Sequence, residues 1–344
     1  MGDSYPKFNV AAVQAAPVFL DREATIEKAC QLTGEAARNG ANIVGFSEAF
    51  VPGFPHWVNR ARPLKHRVEK RYLQLFKNSV EVPSRAIDEL CETARQNDCY
   101  VVIGINEKEK GTMGTLYNTQ VFISRTGEIL GKHRKLVPTL GERLVHTGGD
   151  GTALSVFETD YGRLSGLICG EHNNLLAKYT LLARGANLHV ASWPAFMCKW
   201  GGDFILQQFA YEGKLFIISA SDYFSKEMKE ELGDDSEGAE VGGGSSGIYG
   251  PGGRVLAKGK EDREEILYAE VDMEEIIKAK AAQDIVGHYN RFDIFRLYVN
   301  EEEHHSIRTL PNTGGVLPGK TGHLVDRMSQ KSTKRDQAAE EITA

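Results

Sequence analysis

The chain has 344 residues, of which 41% are hydrophobic and 26% are charged, and its formal net charge is −6. This composition is typical of a globular protein with a substantial core, and the slightly acidic balance excludes an extended basic surface for nucleic acid. No apolar run reaches the roughly 18 residues of a membrane span, and the first residues lack the apolar stretch of a signal peptide. The five cysteines include no CxxC pair, which favours reduced thiols and a cytoplasmic protein without a membrane partner.

Short apolar runs alternate with amphipathic segments along most of the chain. The runs predict strands at 8–15, 42–46, 99–105, 116–124, 129–134, 164–168, 187–191, 215–220, 253–257 and 264–271. The amphipathic segments predict a helix capped by Asp21 and further helices over 67–78, 84–97, 173–184, 203–212 and 273–282. Strands that alternate with helices indicate a layered α/β fold, and strand pairs joined by short turns indicate mixed sheets.

Two stretches are predicted to lack regular structure. Residues 225–247 are acidic and then rich in glycine, which is typical of a mobile loop. Beyond residue 300 the chain becomes polar and charged, so we predict one domain over residues 1–300 and a flexible tail over 301–344. His304 and His305 lack a spaced partner of the kind that holds a metal ion, so no metal site is predicted.

Three predicted strands each end close to a reactive side chain, namely Glu48, Lys135 and Cys169. The ends of strands are where α/β sheets build their sites. A carboxylate there can act as a general base, an ammonium can stabilise negative charge, and a thiol can act as a nucleophile. Local sequence leaves plainer alternatives open for each: a capping or surface carboxylate, a charged strand edge and an inert core thiol.

Cys169 lies at a predicted strand-to-helix corner, which makes it the strongest of the three candidates. Gly170 allows a tight turn at this corner. Backbone N–H groups at the start of the following helix would favour the thiolate. The other cysteines lie in apolar helix or strand patterns or, for Cys198, in a loop-like stretch.

Taken together, the order and spacing of these segments resemble the nitrilase superfamily of carbon–nitrogen hydrolases over about residues 7–300. The resemblance implies that Glu48 is the general base, Lys135 the charge stabiliser and Cys169 the nucleophile. The nearby Lys135 ammonium would then lower the pKa of the Cys169 thiol. Glu142, within the pattern Lys-x-x-Pro-Thr-x-x-Glu-Arg, resembles the glutamate that orients substrate and water. The resemblance also implies a four-layer α-β-β-α sandwich with two mixed sheets, a homo-oligomer from dimer to spiral, and no metal or organic cofactor.

Within the superfamily, the segments around residues 51–55, 191–194, 248–251 and 287–297 resemble the nitrilase branch. This implies that a small organic nitrile reacts with water to give the carboxylic acid and ammonia. An amidase, or a cyanide or nitrile hydratase with the same triad, is the main alternative. A non-catalytic binding protein and a Cys–His hydrolase with His146 or His172 as base are two further alternatives.

The candidate substrate contacts are residues next to these motifs: Gly170, Phe54, His56, Trp57, Glu171, Trp193, Pro194 and Trp200. Their aromatic side chains favour an apolar or aryl substrate. Gly170 stands where the family usually has tryptophan, and the loss of an indole removes a large apolar wall. We therefore predict an altered pocket shape around an unchanged triad.

Overall fold

A computed structural model describes residues 2–59, 65–195, 201–236 and 239–304. Cys198, Trp200 and residues 305–344 lie outside the described residues, and with them most of the predicted tail. Residues up to His304 form one unit. The predicted domain boundary at residue 300 stays a prediction.

The described residues alternate between strands and helices in the order predicted from the sequence. The strands are β1 (Lys7–Gln14), β2 (Ala41–Gly45), β3 (Tyr100–Lys108), β4 (Leu116–Ile123), β5 (Ile129–Arg134), β6 (His146–Thr147), β7 (Phe157–Thr159), β8 (Gly162–Ile168), β9 (Leu188–Trp193), β10 (Phe216–Ser221), β11 (Tyr223–Phe224), β12 (Gly242–Gly243), β13 (Gly247–Gly250), β14 (Arg254–Lys258) and β15 (Glu265–Asp272). The α-helices are α1 (Arg22–Arg38), α2 (Lys65–Asn78), α3 (Arg85–Gln96), α4 (Leu175–Ala183), α5 (Gly202–Gly213), α6 (Lys226–Leu232) and α7 (Glu274–Lys280). Short 3-10 turns cover His56–Asn59, Leu140–Leu144, Gly151–Ala153, Cys169–Asn173 and Gly233–Ser236.

Two large sheets carry most of these strands. The first has the order β15-β1-β2-β3-β4-β5, with β6 paired to β4, and the second has the order β14-β13-β10-β9-β8-β7. In the first sheet β1, β2 and β3 run parallel, whereas β15 pairs antiparallel with β1 and β4 antiparallel with β3. In the second sheet β8, β9 and β10 run parallel, and β7 and β13 flank them antiparallel. The predicted mixed sheets are confirmed.

The side chains of β1 show how the layers stack. Ala11 and Val13 pack in a core cluster with apolar residues of α1 and α3. Val10 and Ala12, on the opposite face, pack in a second cluster with residues of β8, β9, β10 and β13, as the two-residue period of a strand requires. The outer face of the second sheet packs on α5 through Ile168, Ala191, Ile217, Leu206 and Phe209. The four-layer α-β-β-α sandwich is thereby confirmed.

Asp21 begins α1 as the sequence predicts. Its backbone is extended, and its side chain accepts a hydrogen bond from the backbone N–H of Ala24 at 3.0 Å. This contact satisfies one of the N–H groups that a helix start leaves without a partner.

The loop predicted over residues 225–247 is wrong for much of its length, because the segment carries helix α6 and strand β12. Ser225 caps α6 by accepting from the backbone N–H of Met228 at 3.2 Å. Met228 and Leu232 are spaced four apart and are buried in an apolar cluster. The run Gly242–Gly244 adopts positive φ angles of 124°, 101° and 72°, which glycine tolerates without a steric cost.

No α-helix in the described residues has both the length and the apolar character needed to cross a membrane.

Candidate active site

The two sheets bring the three predicted strand ends to one place. Glu48 follows β2, Lys135 follows β5 and Cys169 follows β8, and these side chains are 0%, 1% and 2% exposed. The sheets are tied together here because Ser192 of β9 donates its hydroxyl to the carbonyl oxygen of Phe46 at 2.8 Å.

The backbone around Glu48 passes unusually close to β3. A Cβ atom at Gly104 would lie 2.2 Å from the carbonyl oxygen of Ser47 and 2.6 Å from the backbone nitrogen of Ala49. On the other side, the backbone N–H of Glu48 donates to the carbonyl oxygen of Trp193 at 3.3 Å. Glu48 is therefore fixed between the first and the second sheet.

The Lys135 ammonium forms ion pairs with two carboxylates. We call Glu48, Lys135 and Glu142 the charged cluster. Lys135 Nζ lies 2.7 Å from Glu48 Oε1 and 2.6 Å from Glu142 Oε2. The side-chain amide of Asn118 donates from the same Nδ2 atom to Glu48 Oε1 at 2.7 Å and to Glu142 Oε1 at 2.8 Å. Glu48 Oε2 has no hydrogen-bond partner among the described residues.

Glu142 is held by its own turn as well as by the cluster. It accepts from the backbone N–H of Thr139 at 2.9 Å, within a capping box that starts the turn Leu140–Leu144. Its Oε1 also lies 3.1 Å from Nδ1 of His146. Both oxygens of the Glu142 carboxylate therefore have hydrogen-bond partners inside the protein.

The two carboxyl groups of the charged cluster differ in pKa. Burial raises the pKa of Glu48 to about 7, and Lys135 opposes this only in part. Burial would also raise the pKa of Glu142, but Lys135 and His146 hold that pKa below its usual range. For Lys135, burial is outweighed by the neighbouring acidic groups, which raise its pKa. Near neutral pH, Glu48 is therefore the carboxyl group that can gain or lose a proton.

The backbone at the strand-to-turn corner is strained at Cys169 and not at Gly170, where the tight turn was predicted. The φ of Cys169 is 52°, a left-handed conformation that is uncommon outside glycine, whereas Gly170 is not among the residues with positive φ. The 3-10 turn that starts at Cys169 follows β8 directly, and α4 begins only at Leu175. The tight turn is therefore made by the cysteine itself.

Burial and Glu48 favour the protonated form of the Cys169 thiol, although Lys135 and the N–H of Gly170 favour the thiolate. Burial raises its pKa well above the usual value, and Glu48 adds to this effect. Lys135 and a hydrogen bond from the backbone N–H of Gly170 lower the pKa, but they do not outweigh burial. Attack by this thiol consequently requires a base that removes the proton.

Glu171 was predicted as a substrate contact, but its carboxylate is occupied by protein donors. Its Oε1 accepts from the backbone N–H of Leu136 at 2.7 Å. Its Oε2 accepts from the backbone N–H of Ile168 and faces Nε2 of His133, both at 2.8 Å. These contacts join the segments that carry Lys135 and Cys169, so we propose a positioning role for Glu171 in place of substrate binding.

The predicted aromatic contacts fall into two groups, in which Phe54, Trp57 and Trp193 are buried and His56 is partly buried. Phe54, His56 and Trp57 lie in the segment after Glu48, and the turn His56–Asn59 packs on the turn that carries Glu142. The ring nitrogens His56 Nε2 and Trp57 Nε1 lack hydrogen-bond partners among the described residues. Burial lowers the pKa of His56 to about 4. Whether these side chains touch substrate stays a prediction.

Trp193 and Pro194 form the second group, at the end of β9. The Trp193 ring stacks on the His172 ring with centroids 5.1 Å apart. The carbonyl oxygen of Pro194 accepts from Ser221 Oγ at 3.1 Å. Both residues are buried behind the segment that carries Glu48, and their contact with substrate stays a prediction.

Asn118 and His146 were not predicted to contact the glutamates. Asn118 offered a signal, because Asn118 and Gln120 are polar side chains inside the otherwise buried strand β4. Such side chains need internal partners. His146 was considered only as a catalytic base, but it lies between Glu142 and Asn106, whose Oδ1 is 2.8 Å from its Nε2.

Cys30, Cys91, Cys99 and Cys169 are free thiols, as expected. Within the described ranges, no three His, Cys, Asp or Glu side chains form a group suited to a metal ion.

Comparisons with known proteins point to one family. The family model for carbon–nitrogen hydrolases matches residues 9–281. A nitrilase from Bacillus sp. strain OxB-1 is 38% identical over 319 residues, which cover 89% of this chain and 91% of that protein. An aliphatic nitrilase from Rhodococcus rhodochrous is 37% identical, with 91% of this chain and 90% of that protein covered. An arylacetonitrilase from Aspergillus oryzae is 36% identical, with 87% and 93% covered.

Solved structures show the same fold. A carbon–nitrogen hydrolase from Helicobacter pylori superposes with a TM-score of 0.68 at 21% identity and covers 84% of this chain and 97% of its own. An amidase of the nitrilase superfamily from Nesterenkonia superposes with a TM-score of 0.59 at 17% identity, with 82% and 97% covered.

Proposed function

The chain belongs to the carbon–nitrogen hydrolase family, and we propose that it is a nitrilase, which hydrolyses a small organic nitrile to the carboxylic acid and ammonia. The identity to curated nitrilases supports this choice within the family. The arrangement of acid, base and thiol in the buried site supports it chemically.

One observation carries the proposal: Glu48 Oε2 is buried without a hydrogen-bond partner among the described residues, beside a nucleophile whose raised pKa favours the thiol. The other three carboxylate oxygens of the charged cluster are held by Lys135, Asn118, Thr139 and His146. A carboxylate with a pKa of about 7 and one open oxygen is matched to moving a proton near neutral pH.

The first half of the reaction adds the thiol across the carbon–nitrogen triple bond. Cys169 Sγ bonds to the nitrile carbon while Glu48 takes the thiol proton and delivers it to the nitrile nitrogen, which gives a thioimidate. Lys135 and the N–H of Gly170 stabilise negative charge that develops on the substrate, and one such donor is worth roughly 3–4 kcal/mol. Because burial favours the protonated thiol, this proton transfer accompanies the attack.

The second half uses two water molecules. Glu48 removes a proton from the first water as its oxygen adds to the thioimidate carbon. Glu48 passes this proton to the nitrogen, then takes the remaining hydroxyl proton and transfers it to the same nitrogen as the carbon–nitrogen bond breaks, so that ammonia leaves and a carbonyl group forms. The thioester that remains on Cys169 is hydrolysed by the second water to the acid and the free thiol. If the carbon–sulfur bond breaks first, the product is the amide.

Glu142 has a supporting role in this scheme. Its pKa is held low, so it stays ionised and keeps Lys135 charged and oriented beside Glu48. We propose that it orients substrate and water only through this arrangement.

A panel of aliphatic and aryl nitriles, with acid, amide and ammonia measured separately, tests the proposal. We expect acid and ammonia in equal amounts from at least one nitrile, and activity lost in Cys169→Ala and Glu48→Gln. Cys91→Ala is the matched control, because Cys91 is a buried thiol on α3, and it should keep full activity. If the amide were the sole product, the protein would be a nitrile hydratase and not a nitrilase. Undiminished hydrolysis by Cys169→Ala would refute the mechanism.

We also propose that the protein is a homo-oligomer. Large apolar side chains are exposed on α4, on α5 and in the segment after α7, and exposed apolar surface is a common feature of subunit interfaces. They are Leu175, Leu176, Phe204, Tyr211, Tyr289, Phe292, Ile294, Phe295 and Tyr298. Light scattering should give a mass of at least two chains, and Phe204→Glu should reduce it, whereas Met113→Glu, at an exposed site elsewhere, should not. A monomeric wild type would contradict this.

A further inference from the structure

A chain of hydrogen bonds between buried side chains lies behind Cys169, outside the charged cluster. His172 Nδ1 lies 2.8 Å from the carbonyl oxygen of Cys169, and His172 Nε2 lies 3.0 Å from His189 Nε2. His189 Nδ1 lies 2.9 Å from Ser165 Oγ. All three side chains are fully buried, and the mechanism above uses none of them. We call Ser165, His189 and His172 the histidine relay.

The geometry fixes where the protons of the relay lie. A carbonyl oxygen only accepts, so His172 must carry its proton on Nδ1. Neutral His172 then accepts on Nε2, and His189 must carry its proton on its own Nε2. His189 Nδ1 is consequently an acceptor, which Ser165 supplies with its hydroxyl proton. Ser165 Oγ also lies 3.2 Å from the carbonyl oxygen of Leu188, so this proton has a second acceptor.

The relay works only while both rings are neutral. A proton added to His172 would lie on Nε2 and face the N–H of His189 across 3.0 Å. Burial lowers the pKa of His172 to about 4 and the pKa of His189 well below its usual value, in agreement with this geometry.

Lys178 and His133 oppose a charge on either ring, whereas Glu171 favours one on His172. The charged groups that face the pair are Glu171, His133 and Lys178. Glu171 is engaged with His133, as described above, so its charge is already balanced. Lys178 lies 5.4 Å from the centroid of Phe209, whose ring meets His189 edge-on at 5.1 Å. Trp193 stacks on His172 from the other side.

One end of the relay contacts the backbone of Cys169, which is in the left-handed conformation. Cys169 has a φ of 52°, and such a conformation persists only where its surroundings hold it. The N–H of His172 fixes the carbonyl oxygen of that same residue. We propose that His172 and His189 are positioning residues that hold Cys169 in the conformation from which its thiol attacks substrate.

This inference rests on the proposed function, since it takes Cys169 as the nucleophile. Its test therefore measures two quantities: kcat and KM on a nitrile, and the rate at which iodoacetamide alkylates Cys169, followed by mass spectrometry of the peptide that contains it. Alkylation needs no nitrile chemistry. A failure of the proposed function and a failure of the relay are thereby told apart.

Two pairs of variants compare removal with replacement. His172→Leu and His189→Leu remove the N–H donors, whereas His172→Asn and His189→Gln keep an N–H close to the original position. We expect the leucine variants to lose 10- to 100-fold in kcat with KM within about threefold of wild type, and to slow alkylation in parallel. The asparagine and glutamine variants should recover most of both rates. Unchanged kcat and alkylation in His172→Leu would overturn the relay, as would equal losses in the leucine and the conservative variants.

Ser165→Ala tests the same proposal if a leucine variant does not fold. It removes one hydroxyl and leaves His189 without a partner on Nδ1, so His189 is free to take the other tautomer. We expect kcat to fall 2- to 10-fold at unchanged KM, with alkylation slowed to the same degree. Wild-type rates in both assays would overturn the relay.

Discussion

Asn118 donates a hydrogen bond to Glu48 that helps to lower the pKa of this carboxyl, so Asn118→Leu tests the electrostatics of the site. The leucine side chain has a similar size and removes the hydrogen bonds that Asn118 Nδ2 donates to Glu48 and Glu142 at 2.7 and 2.8 Å. The bond to Glu48 lowers the pKa of that carboxyl. Its loss should raise this pKa further above the usual range for a glutamate.

The size of the effect follows from the strength of one hydrogen bond to a charged group. Such a bond contributes about 1.5–3 kcal/mol, which corresponds to roughly one to two pH units. The pKa of Glu48 should therefore rise from about 7 to roughly 8–9. Since Glu48 must be ionised to accept a proton, kcat/KM at pH 7 should fall roughly 5- to 50-fold, and the deficit should shrink as pH rises.

The assay is the pH profile of kcat/KM between pH 5 and 10, on whichever nitrile the panel identifies. Thr119→Val is the matched control, because Thr119 is the next residue on β4 and its buried hydroxyl donates to Glu107 at 2.8 Å. It should leave the acidic limb of the profile unchanged. If Asn118→Leu lowered the rate equally at every pH, the amide would act only on structure and the reasoning would be refuted.

Three further predictions follow from the same geometry. Glu142→Gln should move the acidic limb to lower pH, opposite to the effect above, because the charge of Glu142 raises the pKa of Glu48; an alkaline shift would contradict this. Gly104→Ala should destabilise the fold by roughly 3 kcal/mol in urea denaturation, since its Cβ would lie 2.2 Å from the Ser47 carbonyl oxygen; wild-type stability would disprove the close approach. His56 and His172 have folded pKa values of about 4 against an unfolded value of 6.5, so their stabilisation is complete above pH 6.5 and is lost as pH falls towards 4. This loss should be roughly 3 kcal/mol for each, and His56→Phe should visibly flatten the decline.

The sequence could predict that Glu48, Lys135 and Cys169 each lie near the end of a strand, whereas the resemblance to the family predicted that these ends, on two different sheets, belong to one site. Glu48 and Cys169 follow apolar runs of strand length, whereas Lys135 follows a strand that is apolar only at its start. The order of helices and strands was predicted from local patterns of the same kind. The spacing of apolar residues and the local composition predict helices and strands over a few residues, whatever the distant partners are.

The state of the thiol could not be predicted in this way. A cysteine near a lysine suggests a lowered pKa, but the outcome depends on how deeply Cys169 is buried and on Glu48, which lies on another sheet. The hydrogen-bond partners of Glu171 could not be predicted for a related reason. Its hydrogen-bond partners at Leu136 and His133 are more than thirty residues away in sequence, so only the folded structure shows that its oxygens are occupied.

Helix α6 shows how composition can mislead. Its residues are mostly charged, and the glycines that follow reinforced the expectation of a loop. Two apolar side chains four residues apart, Met228 and Leu232, are enough to anchor one face. The helix depends on that tertiary contact more than on the propensity of its own residues.

The pairing of β15 with β1 has a consequence for how the protein is made. Lys7 of β1 pairs with Asp272 of β15, so one edge of β1 has no partner strand until roughly 250 further residues have been synthesised. At a synthesis rate of roughly 5–20 residues per second, this interval lasts roughly 13–50 s. During that time β1 presents open backbone groups and apolar side chains to any other nascent chain. Slow translation or high expression should therefore favour aggregation, and binding by a chaperone until β15 emerges should favour the native protein.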